Sequence, residues 1–184
     1  MKTASQLRRD NIAEYILYMW QIEDLIRANK LDIDLIATNI IDRYQNLPDD
    51  DRQTMRSWYE SLIDMMRSEN VQTSGHLQIN RNVLASVADL HSRLLADPRF
   101  EDYKAEFYRT LPFIVELRSR AGEAPAGEIE TCLNALYGML MLRLQGKEIS
   151  DATKRAIDQI SRFMALLVNY FAKDEAGELF KPAD

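Results

Sequence analysis

Among the side chains that could do chemistry, Glu23 is the most conspicuous. It lies in EYILYMWQIEDLIRANK, residues 14–30, a stretch that is apolar nearly all round. At helical spacing its neighbours are Ile16, Met19, Trp20, Ile26 and Arg27, so the carboxylate projects from a buried face or its margin. An unpaired carboxylate there either costs several kcal/mol or takes up a proton. Arg27, one turn onward, is the obvious local partner. Two more residues break the pattern. His91 sits among Leu84, Val87, Leu94 and Leu95, and Arg143 falls on the stripe of Leu136, Met139 and Leu140. If their helices meet, Glu23, Arg27, His91 and Arg143 form one internal polar cluster, with Tyr15 or Tyr18 at its mouth. Such a cluster suits a small polar or anionic ligand, or an acid/base pair. The alternative is structural: Glu23 and Arg27 neutralise each other at a helix junction, and His91 is a hydrogen-bonded core histidine. Arg143 then reaches the last carbonyls of its own helix, where a cation is favoured.

Other chemistries find little to work with. The two histidines, His76 and His91, lack the Glu-x-x-His pattern of metal sites in helical bundles. Asp49, Asp50 and Asp51 follow Pro48, where a helix start favours acids by its dipole alone. DIDLIATNIID, residues 32–42, lacks the glycine and the terminal glutamate of a calcium loop. Cys132 is flanked at helical spacing by Leu133, Leu136 and Met139 and reads as an inert buried thiol. No phosphate-binding loop, dinucleotide fingerprint or nucleophile elbow occurs. The sequence therefore predicts no metal, no cofactor and no catalytic residue.

The 184 residues carry 29 acids against 23 bases, a net charge of −6, with no basic block to attract a nucleic-acid backbone. One cysteine excludes an internal disulfide and fits a reducing compartment. The basic N-terminus is interrupted by Asp10 and Glu14 before its apolar run, unlike a signal peptide. The longest uncharged run, TCLNALYGMLML at 131–142, is too short for a membrane span of about 20 residues. A cytoplasmic location without membrane or nucleic-acid contact is expected.

Between Pro48, Gly75, Pro98, the RAGEAPAGE stretch and Gly146, apolar residues recur at three and four rather than two. This spacing predicts an all-α fold: a compact bundle of about six or seven helices, mostly antiparallel neighbours, forming one domain over 1–184. The first helix is expected over about 5–29. A short second one follows Asp32 as N-cap, with Leu35, Ile36, Ile40 and Tyr44 inward. The third holds Met55, Trp58, Tyr59, Leu62, Met65 and Met66, and the fourth Val83, Val87, Leu90 and Leu94. The fifth carries Phe100, Tyr103, Phe107, Leu111 and Ile114, with Pro112 bending or splitting it. The sixth carries Ile129, Leu133, Leu136, Leu140 and Leu144. The seventh, capped by Ser150, carries Ile157, Ile160, Met164, Leu167 and Phe171. From Lys173 to 184 a loose polar tail is expected.

The first helix is apolar on more sides than one neighbour covers, and the seventh is similar, with Phe163, Leu166 and Tyr170 flanking its stripe. Such a helix is either central or sealed by another chain. Tyr-, Trp- and Met-rich surfaces favour protein interfaces, so the expected partner is a second copy or another protein. The segment NIAEYILYMWQIEDLIRANKLDID, with the overall length and helical spacing, resembles a bacterial family known as a domain of unknown function. That resemblance implies an all-helical fold, with no assigned activity and no catalytic residues to carry over.

Overall fold

A computed structural model describes residues 4–120 and 126–180. Among these there are eight α-helices and no strand: α1 (Ala4–Asp10), α2 (Ile12–Ala28), α3 (Ile33–Asn39), α4 (Asp49–Ser68), α5 (Gln78–Ala96), α6 (Glu101–Ser119), α7 (Glu128–Leu144) and α8 (Asp151–Glu175). A 3-10 turn, Ile41–Arg43, follows α3.

The additional helix arises at Asn11. Its Oδ1 accepts from the backbone N–H groups of Ala13 and Glu14, both at 3.1 Å. A side chain that takes these amides caps a new helix, so the expected first helix begins twice. Asp32 caps α3 as predicted, Oδ1 accepting from Asp34 N at 2.8 Å and Leu35 N at 3.2 Å. That helix ends at Asn39, however, and the tighter turn after it rotates Ile41 inward. Leu35, on α3 itself, and Tyr44, just after the turn, both expected inside, are exposed. Pro112 does not split its helix: α6 runs through it to Ser119, and Pro112 lies on the exposed side.

Contacts group the chain into two units, one of residues 1–17 with 83–184, the other of residues 18–82. In the first, α6 packs on α7 and α8, and α7 packs on α8. The rings of His91, Tyr103, Phe107 and Phe163 meet at its centre, with centroids 4.9–5.9 Å apart. In the second, α3 and the 3-10 turn pack on α4. Ile36, Ile41, Tyr59, Leu62, Ile63 and Met66 are buried there.

Four helices end in the same paired-bond turn. Lys30 N donates to Arg27 O and Leu31 N to Ile26 O, and the pattern repeats at Asn70/Val71, Gly146/Lys147 and Gly177/Glu178. The residue that must adopt positive φ is asparagine or glycine in three cases and Lys30 in the fourth. The chain after α8 does not hang loose as far as Phe180. After Gly177 it turns back, and the Phe180 ring meets Phe100 with Arg93 stacked above it. The rest of the expected tail, 181–184, and the RAGEAPAGE residues 121–125 lie outside the described residues.

Candidate functional site

Glu23 is completely buried in the unit of residues 18–82, and its partner is not Arg27. Its Oε1 accepts from Leu77 N at 2.9 Å and from Asn80 Nδ2 at 2.6 Å. Its Oε2 lies 2.6 Å from His76 Nδ1, and the His76 ring stacks on Trp20 at 4.4 Å and 16°. Leu77 immediately precedes α5, so Glu23 supplies the cap that the local sequence lacks. Glu69 does the same for the next residue, its Oε2 accepting from Gln78 N at 2.6 Å.

Arg27 handles the opposite polarity of the same loop. Its Nη2 donates to Val71 O at 3.1 Å and Gly75 O at 2.5 Å, while Nη1 pairs with Asp24 at 2.8 Å. Residues one turn apart on α2 thus hold loop 71–77 as a clip, the acid taking an N–H and the base two carbonyls. The expected Glu23–Arg27 ion pair is corrected accordingly. Four directed bonds to the loop and a fifth to Asn80 of α5 satisfy groups that a lone ion pair would leave unpaired in the interior. Asn80 Oδ1 and Arg27 Nε remain the buried polar atoms without a partner among the described residues.

A second polar set occupies the other unit. His91, buried on α5, has Nδ1 2.6 Å from the Tyr103 hydroxyl and Nε2 3.3 Å from Glu128 Oε2. A neutral ring satisfies both contacts: the phenol donates to Nδ1, and Nε2–H donates to the carboxylate. Burial lowers the His91 pKa from its ordinary value, with Glu128 opposing that shift. Burial also raises the Tyr103 phenol, and Cys132 is pushed up to about 12. The thiol is therefore a packed, protonated core group. The structure makes His91 a hydrogen-bonded core histidine.

Glu23, Arg27 and Tyr18 belong to one unit; His91, Arg143 and Tyr15 belong to the other. Glu23 and His91 make the bonds described above within their own units. Arg143 is exposed in the last turn of α7, and its guanidinium has no partner among the described residues. Tyr15 is buried, while Tyr18 is half-buried with its pKa raised by burial and by nearby Tyr44. Pattern reading missed His76, Asn80, Tyr103 and Glu128. The partners of Glu23 stand 53–57 residues away, and no local spacing signals them.

Among the described residues no group of three or more His, Cys, Asp or Glu side chains is placed to hold a metal ion. No described helix is long and apolar enough to cross a membrane.

Fold and polar sets together define an all-helical protein whose buried charges are engaged in holding loops and helix starts. Residues 1–178 match the family described as a domain of unknown function, DUF4924, and the chain belongs to it. No curated protein and no solved structure matches the chain.

Proposed function

We propose that this chain is a cytoplasmic binding protein that works as a homodimer, paired through the outer faces of α6 and α7. The observation that carries this reading is the apolar surface those helices leave uncovered. On α7, Leu136, Tyr137, Leu140, Met141 and Leu142 are half-buried, and Leu144 is 70% exposed. On α6, Tyr108 is 63% and Val115 57% exposed, seven residues apart and hence on one face, with Leu111 half-buried between. α6 and α7 pack on each other within one unit, and a partner lying across both helices would cover these residues. The aromatic face of α2, the other candidate, is taken up inside: Tyr15, Met19 and Trp20 are buried.

Apolar side chains grouped this way gain roughly 25 cal/mol per Å² when a partner removes them from water. A second copy brings the same patch, which is what a twofold interface requires. The buried thiol of Cys132 fits a reducing compartment. Glu23 and His91 speak for structure rather than catalysis, since their polar atoms are engaged by the protein itself.

Size-exclusion chromatography with light scattering at micromolar concentration should give twice the chain mass of 21.3 kDa. Replacing Leu140 and Leu144 together by glutamate should return the single-chain mass without unfolding the helices. A wild-type monomer across that range would remove the homodimer reading.

A further inference from the structure

Between the turn Lys30–Ile33 and the second half of α4 lies an open groove of about 480 Å³, with Glu60, Ile63, Asp64 and Arg67 on the α4 side. Its size is that of a small-molecule site. The turn holds two consecutive non-glycine residues at positive φ, Lys30 at 58° and Leu31 at 56°. The three equivalent helix ends use Asn70, Gly146 and Gly177 at the first position. A lysine followed by a left-handed leucine goes against backbone preference. It does keep a cationic side chain at this rim. Arg67 pins the turn from α4, its Nη2 donating to Leu31 O at 3.0 Å.

Both signs of charge face the groove over an apolar floor. Lys30 is exposed and makes no ion pair among the described residues. Asp64 is 78% exposed and 3.6 Å from Arg67, and Glu60 meets Arg56 at 3.3 Å. Ile63 is buried beneath them, with Leu31 and Ile33 half-buried. An anion would be repelled by the carboxylates and a simple cation by Lys30 and Arg67. Asp32 also lines the groove, but its Oδ1 is engaged in capping α3. A molecule bearing one charge of each sign and an apolar side chain meets opposite charge at Lys30 and Arg67 on one hand and at Glu60 and Asp64 on the other. We infer that this groove binds a small apolar zwitterion, an α-amino acid or a dipeptide, with its carboxylate toward Lys30 and Arg67 and its ammonium toward Glu60 and Asp64.

The test titrates the ¹⁵N-labelled full chain with millimolar L-leucine and, separately, L-leucyl-L-leucine, following backbone amide shifts. Saturable shifts confined to residues 30–33 and 60–67 are expected with one of the two, which decides between amino acid and dipeptide. The corresponding carboxamide should bind at least about tenfold more weakly, a loss of about 1.4 kcal/mol. Lys30→Gln removes the charge while keeping a polar, slightly shorter side chain and should abolish saturation at an unchanged melting temperature. Lys30→Gly should do the same while melting no lower than wild type. The proposal is overturned if neither zwitterion gives saturable shifts at these amides. Equal binding of the carboxamide, or wild-type binding by both Lys30 variants, overturns it as well.

Discussion

Removing the Glu23 carboxylate strands three groups at once: Leu77 N–H, the Asn80 amide and the His76 ring. Each buried polar group left without a partner costs about 1–3 kcal/mol. Glu23→Ala should therefore destabilise the protein by about 3 kcal/mol, read from the midpoint of urea unfolding. Glu23→Gln, which keeps an acceptor for Leu77 and Asn80, should lose roughly half of that. A Glu23→Ala protein as stable as wild type would show that loop 71–77 does not depend on this clip. His91 makes a separate prediction. Its pKa in the folded state is lowered by burial, so the unfolded chain binds the proton first as pH falls. Its contribution is complete above the ordinary imidazole value of about 6.5 and is lost as pH drops below it. One group of this kind gives a slope of at most about 1.4 kcal/mol per pH unit. Denaturation midpoints measured on either side of that value should show the loss in wild type and a smaller one in His91→Gln. Equal slopes in the two proteins would rule out His91 as the source.

At the scale of elements, caps decide where helices begin, and they come from two sources. Asn11, Asp32 and Ser150 cap locally, and the last two are evident from their positions before apolar periods. Asn11→Ala removes two backbone partners and should cost about 1 kcal/mol, lowering the melting temperature by a few degrees. No change in melting would mean that α1 and α2 do not rely on that cap. The start of α5, by contrast, is capped by Glu23 of α2 and by Glu69, the residue that follows α4. Pro112 teaches a related lesson. The helix continues because neighbouring packing outweighs one missing backbone bond: Tyr103, Phe107, Thr110 and Ile114 of α6 are all buried. The same cooperation of elements docks Phe180 against Phe100 and Arg93, where composition alone predicts a loose tail.

At the scale of the whole molecule, surface apolarity is distributed unevenly. The chain is nearly half hydrophobic, yet the large exposed apolar residues of the unit of 1–17 and 83–184 concentrate on α6 and α7. If that surface pairs two copies, the melting temperature rises with protein concentration, because association stabilises only the folded state. Scanning calorimetry over a hundredfold concentration range, roughly 2.7 kcal/mol in mass-action terms, provides that reading. A concentration-independent transition would count against a dimer as firmly as a monomeric mass.

Local periodicity determined much of this protein. The three-and-four spacing placed seven helical segments, the buried faces of α4, α5 and α8, and the inert setting of Cys132, because an amphipathic stripe must turn inward wherever the chain folds. It also marked Glu23 and His91 as polar groups needing partners. Which partners they found was a matter for tertiary structure alone. Hydrogen bonds act over about 3 Å in space and leave no trace at 53 or 37 residues of separation in sequence. For the same reason only the folded chain could reveal the groove beside Lys30 and the uncovered faces of α6 and α7.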